Sequence, residues 1–110
     1  MENFQRLSIE EARTLMAARE PVIADIRDAQ SFASGHIVGS VPLSNENLHE
    51  FVLNMPQDRP VIVVCYHGVS SQGAARYLAE QGFAEVYSLD GGFTAWAEYQ
   101  PDQVATQFGR

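Results

Sequence analysis

The chain has 110 residues, one cysteine, seven basic and fourteen acidic side chains, and a formal net charge of −7. That length suits one domain able to bury a core without disulfides or metals, and a single cysteine excludes an internal disulfide and any cysteine-rich zinc site. Every basic residue is an arginine, and the acidic balance argues against nucleic acid or an anionic membrane surface as a partner.

Residues 4–7 read as a short first strand. Ser8-Ile9-Glu10-Glu11 is a capping box, with Ser8 at the N-cap and Glu11 at the third helical position. The stripe Ile9, Ala12, Leu15 and Met16 then predicts a helix ending near Arg19. Pro21-Val22-Ile23-Ala24-Asp25-Ile26 predicts a buried strand, followed by the charged turn Arg27-Asp28. Residues 31–35 predict a single helical turn and residues 38–43 a brief strand. Asn45 is the expected cap of a helix carrying Leu48, Phe51, Val52 and Met55, which residues 56–59 break. Residues 61–64, Val-Ile-Val-Val after Pro60, have no polar alternation and predict a strand buried on both faces. Cys65 stands where that strand ends. Tyr66, His67, Gly68, Val69, Ser70 and Ser71 form a short polar loop, and residues 72–81 carry Ala74, Ala75 and Leu78 at helical spacing before Gly82 at the C′ position. Residues 85–89 predict the last strand. Asp90-Gly91-Gly92 turns into a helix with Phe93, Trp96 and Ala97 on one face, Pro101 ends it, and residues 102–110 read as a polar tail. Residues 1–15 lack the apolar stretch of a signal peptide, and no apolar run reaches spanning length, so a cytoplasmic protein is expected.

Five strands alternating with helices predict an α/β layered domain with helices on both faces of a parallel sheet. In such sheets ligands bind beyond the carboxyl ends of the strands. A loop that curls from a strand end into a helix start presents several unpaired N–H groups to one point, at the positive end of a helix dipole. A cysteine there is favoured as its thiolate, and the same amides suit an anionic substrate or sulfur intermediate. A cysteine after four apolar residues also suits plain core, but a core-filling cysteine has no need of a Gly-Val-Ser-Ser turn into a helix.

The remaining candidates carry two readings each. His67 either helps to hold an anion or faces solvent. Ser70 and Ser71 donate to the cradle, or one of them caps the following helix. Arg27, after a strand end on the same side of the sheet, either lines the mouth near Cys65 or pairs with Asp25 or Asp28. His36 reads as a structural hydrogen-bonder, His49 as a surface residue, and Phe93 and Trp96 as core. No residues have metal-ligand spacing, and no glycine-rich nucleotide fingerprint follows a strand.

Asp25-Ile26-Arg27-Asp28, Gly35-His36-Ile37-Val38-Gly39-Ser40, Cys65-Tyr66-His67-Gly68-Val69-Ser70-Ser71 and Asp90-Gly91-Gly92-Phe93-Thr94-Ala95-Trp96 resemble, in this order, the successive signatures of the rhodanese family. The resemblance spans roughly residues 16–100 and is nearest to bacterial single-domain thiosulfate sulfurtransferases. It implies a doubly wound, five-stranded parallel sheet and a single rhodanese domain over about residues 16–104. It also implies a ping-pong reaction in which Cys65 takes the outer sulfur of thiosulfate as a persulfide, within a cradle formed by residues 66–71 and with no cofactor. Cyanide, small thiols or a thioredoxin-like dithiol protein would then accept the sulfur. Phosphatases and arsenate reductases related to this fold resemble Cys-x5-Arg. Here Ser70 and Ser71 stand at the loop end, and no arginine follows until Arg76. Many sulfurtransferases of the family carry arginine or lysine at the place of Ser70, so the sulfonate end is left to amides, hydroxyls, His67 or Arg27. A sulfur-relay or binding module fed by a protein donor is the alternative reading.

Overall fold

A computed structural model of the chain describes residues 3–107. In chain order it contains β1 (Gln5–Leu7), α1 (Ile9–Arg19), β2 (Val22–Asp25), α2 (Ala29–Ser34), β3 (His36–Ile37), β4 (Val41–Pro42), α3 (Leu48–Asn54), β5 (Val61–Val64), α4 (Ser70–Glu80), β6 (Val86–Leu89), α5 (Gly92–Tyr99), a 3₁₀ turn (Pro101–Gln103) and β7 (Val104–Ala105). Every residue of β2 and β5 is buried, as the apolar runs over residues 22–24 and 61–64 require, and the charged Asp25 at the end of β2 is buried with them. Five strands form one sheet in the order β1-β6-β5-β2-β4, and all its pairings are parallel.

Alternation along the strands divides the core in two. Val22, Ala24, Val61 and Val63 pack with Phe51, Ala75 and Leu78 of α3 and α4. Ile23, Ile62, Val64 and Leu89 pack with Ala12 and Trp96 of α1 and α5 on the opposite face. The sheet is thus doubly wound. After β2 the chain moves outward to β4, whereas after β5 it moves the other way to β6. The crevice between the carboxyl ends of β2 and β5 is therefore the topological switch point, where open α/β sheets bind ligands. Cys65 and Arg27 both lie there.

The capping box at α1 forms as expected: Glu11 N donates to Ser8 Oγ at 3.1 Å and Ser8 N to Glu11 Oε1 at 2.9 Å. Other expectations need correction. The strand expected over residues 38–43 shrinks to Val41–Pro42, because His36–Ile37 pairs antiparallel with Val104–Ala105 in a second, two-stranded sheet. The polar tail is thus partly structured, and residues 108–110 lie outside the described residues. The helical turn near residues 31–35 is Ala29–Ser34, started by Asp28, whose carboxylate accepts from Ser31 N. Asn45 does not cap α3; Asn47 stands at that position, with its side chain accepting from Ser44 N and donating to Pro42 O. Helix α4 begins two residues early, at Ser70, and its N-cap is Val69, so neither Ser70 nor Ser71 caps it. No helix among the described residues is long and apolar enough to cross a membrane.

Candidate active site

Cys65 follows the carboxyl end of β5 and is buried, 4% exposed. Its Sγ accepts from Gly68 N at 3.1 Å and Ser71 N at 3.2 Å, and pairs with Ser71 Oγ at 3.2 Å. Burial alone pushes the thiol up. The Ser71 hydroxyl and the amides of Ser71, Gly68 and His67 together outweigh it and bring the thiol below its ordinary value. The thiolate is thus favoured by hydrogen bonds to neutral donors rather than by a neighbouring cation.

The inward orientation of the loop amides has a cause outside the loop. Phe93 N and Thr94 N, in the first turn of α5, donate to Cys65 O at 2.8 Å and Tyr66 O at 3.1 Å. The Gln72 side chain donates to Gly68 O at 2.9 Å. Peptide units are planar and none is cis, so a carbonyl drawn outward turns the N–H of the following residue inward. Three anchored carbonyls thereby set the amides of Tyr66, His67 and Val69. Gly68 has φ +87°, and a Cβ on it would come within 2.8 Å of Gly91 N and 2.9 Å of Leu89 O. Gly92, at φ +61°, lets α5 touch the loop, since a Cβ there would lie 2.5 Å from Cys65 O. The Asp90-Gly91-Gly92 segment is therefore part of the site by position, although none of its side chains reaches the sulfur.

The other expected residues are distributed unequally. His67, Val69 and Ser70 are exposed around the sulfur, with Val69 at 72%. Ser71 is fully buried beneath it, between Cys65 and Ser88, whose Oγ is 2.7 Å away. Tyr66 reaches across the crevice, its hydroxyl bonded to the Asp28 carboxylate and to Ser31 Oγ. These bonds, Tyr66 first and Ser31 second, lower the Asp28 carboxyl to about 2. Arg27 is buried. Its guanidinium makes a bidentate ion pair with Asp25, with Nε at 3.1 Å and Nη2 at 2.8 Å, and also donates to Gly35 O at 2.6 Å. It lies 4.1 Å from the Phe93 ring centroid and 5.7 Å from that of Tyr66. The paired reading of Arg27 thus describes its side chain, and its charge is already met by Asp25. Arg76, the next arginine after the loop, stacks on Phe4 at 5.6 Å.

Ser88, Gln72 and the Asp28–Ser31 pair were not singled out from the sequence. Ser88 had one signal, a polar residue in an apolar strand. Arg27 and Asp28 sit where two clefts meet. The first, of about 390 Å³, continues to Ser31, Ser34, Gly35 and Phe93. The second, of about 740 Å³, runs past Ile26, Leu43, Leu48 and Tyr77 and is more apolar. His36 Nδ1 lies 2.7 Å from Phe32 O and its ring stacks on Phe32, the structural role expected. No group of three or more His, Cys, Asp or Glu among the described residues is placed to hold a metal ion.

A family model described as a rhodanese-like domain matches residues 8–99. Over 101 residues the chain is 52% identical to the thiosulfate sulfurtransferase GlpE of Pseudoalteromonas translucida, covering 92% of this chain and 96% of that protein. It is 54% identical over 98 residues to the protein of the same name from Shewanella oneidensis, covering 89% and 97% respectively. Among solved structures, the rhodanese-like domain of an Anabaena protein superposes with a TM-score of 0.81 at 22% identity, over 96% of this chain and 80% of that one.

Proposed function

The chain belongs to the rhodanese family, and on that premise we propose that it is a thiosulfate sulfurtransferase in which Cys65 carries the transferred sulfur as a persulfide. One observation carries the reading: the only cysteine sits at the switch point with its Sγ accepting from the Gly68 and Ser71 amides. Those donors favour a thiolate at rest. His67, Val69 and Ser70 of the same loop are exposed, so an anion approaching the cradle meets the loop from solvent.

In the first half-reaction the Cys65 thiolate attacks the outer sulfur of thiosulfate. The S–S bond of thiosulfate breaks, sulfite leaves with the bonding pair, and the negative charge passes to the terminal sulfur of the persulfide. In the second, a thiophilic acceptor attacks that terminal sulfur and Cys65 leaves as thiolate. Cyanide gives thiocyanate; a thioredoxin-like dithiol takes the sulfur as its own persulfide and can release it as sulfide on closing a disulfide. The amides of residues 66–71 hold the anion in both halves. Such a thiol works where cysteines stay reduced, which fits the cytoplasm.

The lack of an arginine at Ser70 or Ser71, with Arg27 held by Asp25, disfavours phosphoryl transfer. The same feature favours a second reading, a relay fed by a protein persulfide, because no unpaired guanidinium faces a sulfonate from the loop. Intact mass after brief incubation with thiosulfate separates the two. Wild type is expected to gain one sulfur atom, lost again on adding cyanide with thiocyanate released, while Cys65→Ser gains none. No adduct on wild type would sink the thiosulfate assignment and shift the weight to the relay.

A further inference from the structure

Two serines lie beneath the sulfur, and both are fully buried. Ser71 Oγ is 3.2 Å from Cys65 Sγ and 2.7 Å from Ser88 Oγ. Ser88 comes from β6, in register with Val63 of the neighbouring β5. Among the described residues the Ser88 hydroxyl has no partner other than Ser71. A buried hydroxyl hydrogen without an acceptor is costly. Ser88 therefore places its hydrogen without loss only by donating to Ser71 Oγ, which leaves the Ser71 hydrogen for the sulfur. In the opposite direction the thiol donates to Ser71, Ser71 donates to Ser88, and the Ser88 hydrogen is orphaned. With a thiolate the two hydroxyl hydrogens meet two acceptors and the three-atom chain is complete; with a thiol a third hydrogen is left over.

We propose that Ser88 is a positioning residue that acts through Ser71, committing the Ser71 hydroxyl to donate to Cys65 Sγ. This rests on Cys65 being the reactive atom of the function proposed above. It gives Ser88 a part in both halves of that reaction. Before attack, the committed donor holds the thiolate. During release of the persulfide sulfur, charge returns to Sγ as the leaving atom, and a donor already aimed at it needs no reorientation.

The test is the pH profile of iodoacetamide alkylation of Cys65 in wild type, Ser88→Ala, Ser71→Ala and the double variant, with folding checked by thermal melts. Ser88→Ala is expected to move the profile to higher pH and to slow alkylation at neutral pH by about threefold to fivefold, the worth of one hydrogen bond. In the Ser71→Ala background the same change is expected to do nothing, because the path to the sulfur is already cut. An unmoved profile in Ser88→Ala overturns the proposal. So does an equal shift in both backgrounds, which would mean that Ser88 acts by another route. The assay contains neither thiosulfate nor acceptor. A chain that shows the Ser88 shift but takes up no sulfur counts against the proposed function alone. One that turns thiosulfate over with an unmoved Ser88→Ala profile counts against this proposal alone.

Discussion

Replacing Gly92 by alanine tests whether α5 holds the cysteine loop in place. At φ +61° an alanine is disfavoured by about 1 kcal/mol relative to glycine. Its Cβ would also stand 2.5 Å from Cys65 O and from both carbonyl atoms of Tyr66. Those are backbone atoms and cannot swing aside, so helix and loop must separate. Separation breaks the bonds from Phe93 N and Thr94 N, each worth about 0.5–1.5 kcal/mol. The sum is about 2–4 kcal/mol, a large share of the roughly 5–15 kcal/mol that stabilises a small domain. Freed carbonyls also release the Tyr66 and His67 amides, so the thiol should rise toward its ordinary value. Urea unfolding supplies the first readout and the pH profile of alkylation the second. Gly73→Ala is the internal control: it lies within α4, meets nothing within 4 Å, and should stabilise by about 0.5–1 kcal/mol. A Gly92→Ala protein within about 1 kcal/mol of wild type, with an unmoved alkylation profile, would refute the coupling of α5 to the cradle.

Three further outcomes follow from the same geometry. Folding lowers the Cys65 thiol, so relative to Cys65→Ser the wild type should gain stability as pH rises through the folded thiol's range and level off above about 8.5–9; the slope is at most about 1.4 kcal/mol per pH unit, and urea midpoints that fall relative to the variant would contradict it. The Asp28 carboxyl, held at about 2 by Tyr66 and Ser31, should keep its bridge to Tyr66 well into acid. The bridge's contribution is present above about pH 4 and lost as pH falls toward about 2, and Tyr66→Phe should return the carboxyl toward 4 in an NMR titration. Arg27→Gln leaves Asp25 buried without its cation and should cost about 3–5 kcal/mol in urea unfolding, part of it regained by adding Asp25→Asn; a loss below about 1 kcal/mol would show the pair to be dispensable.

Much of the site was legible because it is local. A strand buried on both faces, a cysteine at its end and a short turn into a helix occupy consecutive residues from Val61 to Ser71, and their apolar pattern and turn chemistry are read along the chain. The capping box at Ser8 and Glu11 is legible for the same reason, since its partners are three residues apart. Helix starts were less secure where no side chain caps the N-terminus, as at Asn47 and Val69.

The amino-acid sequence by itself determined strands β1, β2, β5 and β6, the placement of Cys65 and the amide-rich loop, because hydrophobic period, glycine freedom and helix capping act between near neighbours. Tertiary structure alone decided which of the two readings of Arg27 holds for its side chain, which carboxylate Tyr66 meets 38 residues away, and that Ser88 lies behind Ser71. It also paired His36–Ile37 with Val104–Ala105. Those contacts depend on the order and register of strands in the sheet. That order is a property of closing the whole fold, and no short-range pattern records it.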